Sequence, residues 1–159
     1  MVSEVCVNKA LFESAKEVFE TMIFMDIVED TQADKQVEGW GLLASITFKG
    51  PTEGCFAICC NIACCQAITR NMLGLDAASE ISENEACDAM GEVANMLMGS
   101  TKSRLMDQFG NVEVSIPSVT SGRQLQNNLG EGTKKLTTKI NIQDEHLAEL
   151  SLLYREIEK

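Results

Sequence analysis

A glutamate and an asparagine lie three residues apart, at Glu92 and Asn95, in a stretch with the apolar period of an α-helix. Residues at that spacing are neighbours on one helical face. A carboxylate can pair with a lysine ammonium, and a carboxamide donates and accepts hydrogen bonds at once, so that it can hold a water molecule in place. The two residues bring no nucleophile, metal shell or oxyanion hole of their own. They could therefore assist a reaction such as phosphoryl transfer, which needs mainly positioning and charge neutralisation, only on a partner that supplies the rest.

The helix that must position this pair is predicted over residues 85–105. One face carries apolar or small residues at steps of four, three, four and four: Ala86, Met90, Val93, Leu97 and Thr101. The opposite face carries polar residues and one glycine: Asp88, Glu92, Asn95, Gly99 and Lys102. A glycine inside a helix costs about 1 kcal/mol relative to alanine, and Gly99 would let a partner approach the backbone closely. A solvated face, with glycines that allow close helix packing, accounts for the same residues.

Residues 88–99, DAMGEVANMLMG, resemble the signature helix of the CheC/CheX/FliY family of chemotaxis phosphatases, most of all its CheX-like members. Family members carry an acidic or hydroxyl residue, a glutamate and an asparagine on one helix, with a proline downstream. The corresponding residues here are Asp88, Glu92, Asn95 and Pro117. The resemblance extends from an N-terminal helix to a C-terminal hairpin. Some members have a second Glu-x-x-Asn pair on the first helix, which this sequence lacks.

The resemblance implies a protein phosphatase that removes the phosphoryl group from the aspartate of a CheY-like response regulator. It gives Glu92 the role of pairing with the regulator's active-site lysine and Asn95 that of orienting the attacking water. Asp88 and Gly99 are expected to be flanking partner contacts, and Pro117 a structural mark of the family. The chain is expected to bind no metal or cofactor itself, because the regulator would bring its own magnesium. A homodimer joined through sheet edges is also expected, with residues 148–156 as the available edge.

Two other classes of function remain open. The same fold could serve as a binding module that docks a receiver domain or a flagellar switch component without turnover. It could also be a scaffold subunit in which Glu92 and Asn95 are exposed without a catalytic role. Phosphate release separates the enzyme from the binding module, and a pull-down separates the binding module from the scaffold.

Composition narrows these choices. A chain of 159 residues is expected to form one domain over residues 1–159. The formal net charge of −11 argues against nucleic acid and anionic membrane surfaces as partners. No run approaches the roughly 18 apolar residues of a membrane span, and no signal peptide is visible. The seven cysteines then predict free thiols in a reducing cytoplasm.

The periodicity along the chain predicts an α+β fold with helices packed on a mainly antiparallel sheet. Helices are predicted at 8–25, 62–73 and 85–105, with Asn8, Asn61 and Ser82 as their N-caps. Strands are predicted at 38–48, 52–60 and 112–116, and a hairpin at 135–143 and 148–156. Residues 26–37 and 118–132 are predicted to be loops, the second with short strand character near 123–126. On the first helix the expected core residues include Leu11, Ala15, Val18, Met22 and Met25.

A cysteine cluster is the main rival candidate for chemistry. Five cysteines fall between residues 55 and 65, but no C-x-x-C spacing brings a pair of thiolates together as a metal site requires. Small buried core residues are the simpler interpretation. The only histidine, His146, is predicted to be a surface turn residue, and the only tryptophan, Trp40, a core or interface residue.

Overall fold

Seven antiparallel strands form one sheet, and the three longer helices pack on one of its faces in the computed structural model, which describes residues 2–32, 34–127 and 130–157. The helices are α1 (Glu4–Val18), continued by a π-helical turn (Phe19–Ile23), α2 (Ile62–Leu73), α3 (Glu83–Arg104) and α4 (Met106–Phe109). The strands are β1 (Ile27–Glu29), β2 (Trp40–Lys49), β3 (Thr52–Asn61), β4 (Glu113–Val114), β5 (Ser118–Arg123), β6 (Lys134–Ile142) and β7 (His146–Glu156). The predicted α+β class is confirmed.

The strand order across the sheet is β1-β6-β7-β3-β2, and β2 then pairs with both β4 and β5 along its other side. Alternate residues of the central strands face the helices, as the register Leu42↔Cys60↔Ala148↔Ile140 shows. These residues join apolar residues of α1, α2 and α3 in the hydrophobic core. The long strands therefore hold α3 rigidly above β2 while leaving its outer side free.

The first helix differs from its prediction at both ends. It begins at Glu4, and the N-cap is Ser3 instead of Asn8, because the Ser3 side chain accepts a hydrogen bond from the Cys6 backbone amide. At the other end the chain forms a π-helical turn, which has more residues per turn than an α-helix. The next residue to face the core is therefore one position later than the α-helical period predicts. Ile23 is consequently buried and Met22 is 54% exposed, so the prediction of Met22 as a core residue is wrong.

Three strand predictions also need correction. Residues 27–29, predicted to be loop, form β1 by pairing with β6. Residues 118–123, predicted to be loop, form β5 by pairing with the first half of β2. The C-terminal strand is not an edge, because β7 pairs with β3 on one side and with β6 on the other. The strands with a single partner among the described strands are β1, β4 and β5.

No helix in the described ranges combines the length and apolarity needed to cross a membrane.

Candidate functional site

Helix α3 is a well-capped platform for the candidate residues. Ser82 Oγ accepts a hydrogen bond from the Glu85 backbone amide, and the Glu85 carboxylate accepts one from the Ser82 amide, both at 3.1 Å. This reciprocal capping box satisfies two amides of the first turn and confirms the N-cap predicted from the sequence. Lys102 and Arg104 in the last turn complement the negative end of the helix dipole. The acid–amide pair therefore lies on regular helix, away from fraying ends.

The two faces of α3 divide as the periodicity predicts. The residues on the inner face are all buried: Ala86, Met90, Val93, Leu97 and Thr101. The residues on the outer face are exposed, except for the half-buried lysine: Asp88, Glu92, Asn95, Gly99 and Lys102. The faces of the helix are thus confirmed. Which of the exposed residues have a function is a separate question.

The side chains of Asp88, Glu92 and Asn95 make no hydrogen bond or ion pair with any residue in the described part of the chain. Glu92 and Asn95 are one turn apart, so their β-carbons lie about 5–6 Å from each other. Both side chains can thus turn toward the same external atom. Because neither group has a partner inside the described chain, all the hydrogen-bonding capacity of the carboxylate and the carboxamide is available to a docking molecule.

Gly99 leaves an opening at the end of this pair. A β-carbon at Gly99 would have no heavy atom within 4 Å, so no packing inside the chain requires a glycine there. The helix nevertheless keeps a residue that disfavours it by about 1 kcal/mol relative to alanine. The opening allows another molecule to contact the α3 backbone one turn beyond Asn95.

Gly91, in contrast, lies beside another element, although a β-carbon there would make only ordinary van der Waals contacts. A β-carbon at Gly91 would lie 3.5 Å from Cγ of Pro117 and 3.8 Å from a methyl group of Val119. The start of β5 therefore packs against α3 at the residue immediately before Glu92. Pro117, which the sequence associated with the family only as a mark, supports the candidate site from the side.

The chain forms a β-bulge immediately before this contact. Ser45 of β2 pairs with Ser118, and Phe48 pairs with Val114. The two pairs are three residues apart along β2 but four residues apart along the segment that joins β4 to β5. One extra residue therefore lies on this segment, as in a β-bulge, and Pro117 falls within it, beside α3. A proline fits at this position because it has no amide to donate to the ladder.

Helix α1 holds the C-terminal half of α3 from the other side. Glu17 accepts hydrogen bonds from Arg104 at 2.8 Å and from Ser100 at 3.1 Å, and Glu13 lies 3.7 Å from the Arg104 guanidinium. The hydrogen bonds from Arg104 and then Ser100 lower the pKa of the exposed Glu17 carboxyl. Helix α1 carries no second Glu-x-x-Asn pair, because the residue three positions after Glu17 is Glu20 and not an asparagine. This cluster positions α3 and has a full set of internal partners, unlike Glu92 and Asn95.

The cysteine cluster lies inside the molecule, as predicted. The five cysteines are buried: Cys55, Cys59, Cys60, Cys64 and Cys65. Burial, with a smaller contribution from the Glu149 carboxylate, raises the pKa of Cys59 to about 12. The neighbouring thiols of Cys64 and Cys65, 3.2 Å away for Cys65, raise the pKa of Cys60 well above its usual value. Among the described residues no group of three or more His, Cys, Asp or Glu side chains could hold a metal ion.

The remaining candidates are not part of the α3 face. His146 begins β7 and is half-buried beside Glu145, so it is less exposed than the predicted turn residue. Trp40, at the start of β2, is 45% exposed. Two clefts of about 730 and 850 Å³ share the lining residues Gln36, Val37, Gly39 and Gln124, and neither is lined by Glu92. None of the outer-face residues of α3 lines either cleft, so the face suits a macromolecular partner more than an enclosed small molecule.

The sequence did not single out two exposed apolar residues on the segment that leads to the Pro117 contact with α3. Val114, which is 47% exposed, and Ile116, which is 87% exposed, lie just before Pro117 on the bulge. Their sequence, Val-Ser-Ile-Pro, predicted only a short strand. An isoleucine directly before a strand-ending proline was the available signal.

Comparisons with known proteins show the family and the fold of the chain. The family model described as chemotaxis phosphatase CheX matches residues 42–141, which include α3 and Pro117 and make up more than half of the chain. No curated protein sequence matches the chain. The fold is similar to that of the chemotaxis protein CheX from Vibrio vulnificus, with 20% identity and a TM-score of 0.79 over 98% of this chain and 100% of that chain.

Two other solved structures have the same fold. One is a CheC-like superfamily protein from Shewanella sp. PV-4, with 22% identity and a TM-score of 0.75, covering 95% of this chain and 98% of that chain. The other belongs to the CheX–CheY–BeF3–Mg2+ complex from Borrelia burgdorferi, with 16% identity and a TM-score of 0.75, covering 98% of this chain and 100% of that chain.

Proposed function

The chain belongs to the CheX family of chemotaxis phosphatases, and from this premise we propose that it hydrolyses the aspartyl phosphate of a CheY-like response regulator. The observation that carries the proposal is the outer face of α3, where Glu92 and Asn95 are exposed, adjacent and without partners inside the described chain. The structure of the CheX–CheY–BeF3–Mg2+ complex from Borrelia burgdorferi supports the choice of partner, because that protein shares the fold.

Asn95 is the proposed catalytic residue. Its carboxamide oxygen would accept a hydrogen bond from a water molecule while its amide group donates to a neighbouring oxygen, so that the water is held in line with the phosphorus. An acyl phosphate is already reactive, and phosphoryl transfer depends mainly on positioning and on stabilising charge. One exposed amide on a rigid, capped helix can provide that positioning.

Glu92 is the proposed docking residue for the regulator's active-site lysine. It lies one turn before Asn95, so the ion pair would fix the regulator at the distance at which Asn95 reaches the phosphoryl group. Asp88, one turn earlier, adds a second carboxylate on the same face, and Gly99 lets the regulator approach the backbone. Complementary charge of this kind raises the association rate and fixes the register of docking.

The magnesium ion of the reaction is proposed to belong to the regulator. The convex face of α3 presents two carboxylates and an amide but no converging set of ligands. The ion would neutralise charge on the phosphoryl oxygens when bound in the regulator. The residues of this chain need only place water and pair with a lysine, which is what an acid–amide pair can do.

The test is release of inorganic phosphate from magnesium-loaded, phosphorylated receiver domains mixed with the purified protein. Hydrolysis of at least one phosphorylated receiver well above its spontaneous rate would support the phosphatase proposal. Tight binding of a phosphorylated receiver without faster hydrolysis would favour the binding module instead. If no receiver binds, the scaffold interpretation remains.

We also propose that the protein acts in the cytoplasm, where its thiols stay reduced, and as a homodimer. The dimer cannot use β7 as an edge, because both sides of β7 are paired. Strand β5 is the longest strand with a single partner in the described part of the chain, and it is the proposed edge. Light scattering should give twice the chain mass at micromolar concentration, and a stable monomer would refute the dimer.

A further inference from the structure

The bulge beside α3 exposes apolar side chains on a rigid backbone. Ile116 is the most exposed large apolar residue in the described part of the chain. The Ser115 backbone amide donates to the Thr47 carbonyl at 2.9 Å, and the Thr47 amide donates to Ser115 Oγ at 3.0 Å. On the other side, Pro117 packs against α3 at Gly91. Ile116 is thus clamped between two anchored neighbours and is not the tip of a loose loop.

This segment runs alongside the candidate site. Helix α3 ends at Arg104, the chain returns through α4 to Glu113, and Pro117 has moved back along the helix to Gly91. The segment is therefore antiparallel to α3. At about 3.3 Å per strand residue and 1.5 Å per helix residue, Val114 is level with the turn that contains Gly99. Val114 also lies on the helix side of the sheet, because it pairs directly with the buried core residue Phe48.

We propose that Val114 and Ile116 form an apolar docking strip for the phosphorylated receiver, beside the α3 pair. This inference rests on the proposed function and adds a specificity element to it. The strip predicts that the receiver presents an apolar side chain next to its phosphorylated aspartate, at the distance that separates the bulge from Glu92. The acid–amide pair would recognise the reacting groups, and the strip would select among receivers that share them.

Exposed apolar side chains cost free energy in water that binding a partner can recover. A single exposed aliphatic residue on a surface is ordinary. Here two of them lie on a segment that the sheet and Pro117 hold next to α3. The outer polar residues of that helix, Asp88, Glu92 and Asn95, are exposed and lack partners in the described chain. A side chain on an anchored backbone loses less conformational entropy on binding than one on a mobile loop, which favours affinity. Bulges next to functional sites commonly redirect a side chain in this way.

The test measures binding of a magnesium-loaded receiver carrying beryllium trifluoride on its aspartate, together with kcat and KM for the phosphorylated receiver. Ile116→Ala should weaken binding and raise KM about tenfold, and leave kcat close to that of the wild type, because Glu92 and Asn95 are intact. Ile116→Val should restore most of the affinity. The matched control is Val28→Ala, an aliphatic residue that is 57% exposed on β1 at the opposite end of the sheet. It should bind like the wild type.

Other results would overturn the inference. If Ile116→Ala binds the receiver as tightly as the wild type while Asn95→Ala has lost turnover, the strip is not a docking element and the phosphatase proposal stands. If Ile116→Ala instead halves the mass in light scattering without changing receiver affinity, the strip belongs to contact with a second copy of the chain. If the wild type neither binds nor dephosphorylates any receiver, the strip and the proposed function fall together.

Discussion

Pro117 packs against Gly91: a β-carbon on that glycine would lie 3.5 Å from Cγ of the proline ring. The contact joins the bulged sheet edge to α3 at the residue immediately before Glu92. The two parts of the proposed interaction surface, the polar helix face and the apolar strip, are therefore held in one arrangement. The proline far along the chain and the acidic residue on the helix belong to the same site for this geometric reason.

Replacing Pro117 should separate these parts. We expect Pro117→Ala to lower the free energy of unfolding by about 1–2 kcal/mol, through lost ring contacts and a more flexible unfolded chain. It should also lower kcat/KM under conditions in which the variant is fully folded, because the strip would shift relative to Glu92. Pro51→Ala is the control, since Pro51 packs at Gly110 and is remote in sequence and contacts from α3. Equal losses of activity in both variants would argue against a positioning role.

Gly99→Ala should uncouple stability from activity. The added methyl group meets nothing within 4 Å, so the variant should gain about 0.5–1 kcal/mol of stability from the better helix propensity. If a receiver approaches the backbone at this point, the same methyl group should raise KM. Asn8→Ala, at an exposed position of α1 away from this face, should leave KM unchanged. A more stable Gly99→Ala enzyme with unchanged KM would remove Gly99 from the docking surface.

Glu92→Gln removes the charge and keeps the shape of the side chain. We expect a higher KM and a weaker dependence of kcat/KM on salt, because the pair with the regulator's lysine is screened in the wild type and absent in the variant. Glu38→Gln, an exposed carboxylate before β2, is the control and should keep the wild-type salt dependence. Salt profiles that cannot be distinguished between Glu92→Gln and the wild type would contradict the proposed role.

Local signals in the sequence predicted α2 and α3 well. Asn61 and Gly74 mark the two ends of α2, and the capping box at Ser82 marks the start of α3. The helical period of about 3.6 residues also predicted which residues of α3 form its polar face. These features depend on neighbours within one or two turns, so a single sequence contains the information.

Long-range pairing set the features that the sequence could not indicate. β1 has three residues, too few for alternation, and exists because β6 offers a partner. β5 is rich in serine and glycine and becomes a strand only beside β2. The bulge before Pro117 arises from a mismatch in register between two chain segments, which a local pattern does not contain. The role of Val114 and Ile116 therefore emerged only with the fold.

The buried thiols predict a loss of stability at high pH. The pKa of Cys59 is about 12 in the folded protein, chiefly through burial, against an ordinary value of 9.0. The unfolded chain therefore releases this proton first, and the stabilisation that is complete below pH 9.0 declines as the pH rises toward about 12. Between pH 8 and pH 10, the free energy of unfolding measured in urea should fall less for Cys59→Ala than for the wild type, by about 1 kcal/mol. Cys6→Ala, which alters an exposed thiol, should follow the wild type.

The most direct test of the central claim is the rate of phosphate release from a magnesium-loaded, phosphorylated receiver by Asn95→Ala. Asn84→Ala is the matched control, because Asn84 is an exposed asparagine on the same helix. We expect Asn95→Ala to lose about 10²–10³-fold in kcat, as when a single positioned hydrogen-bonding group is removed, and to melt like the wild type. Asn84→Ala should retain full activity. Phosphate release by Asn95→Ala at the wild-type rate would contradict the account.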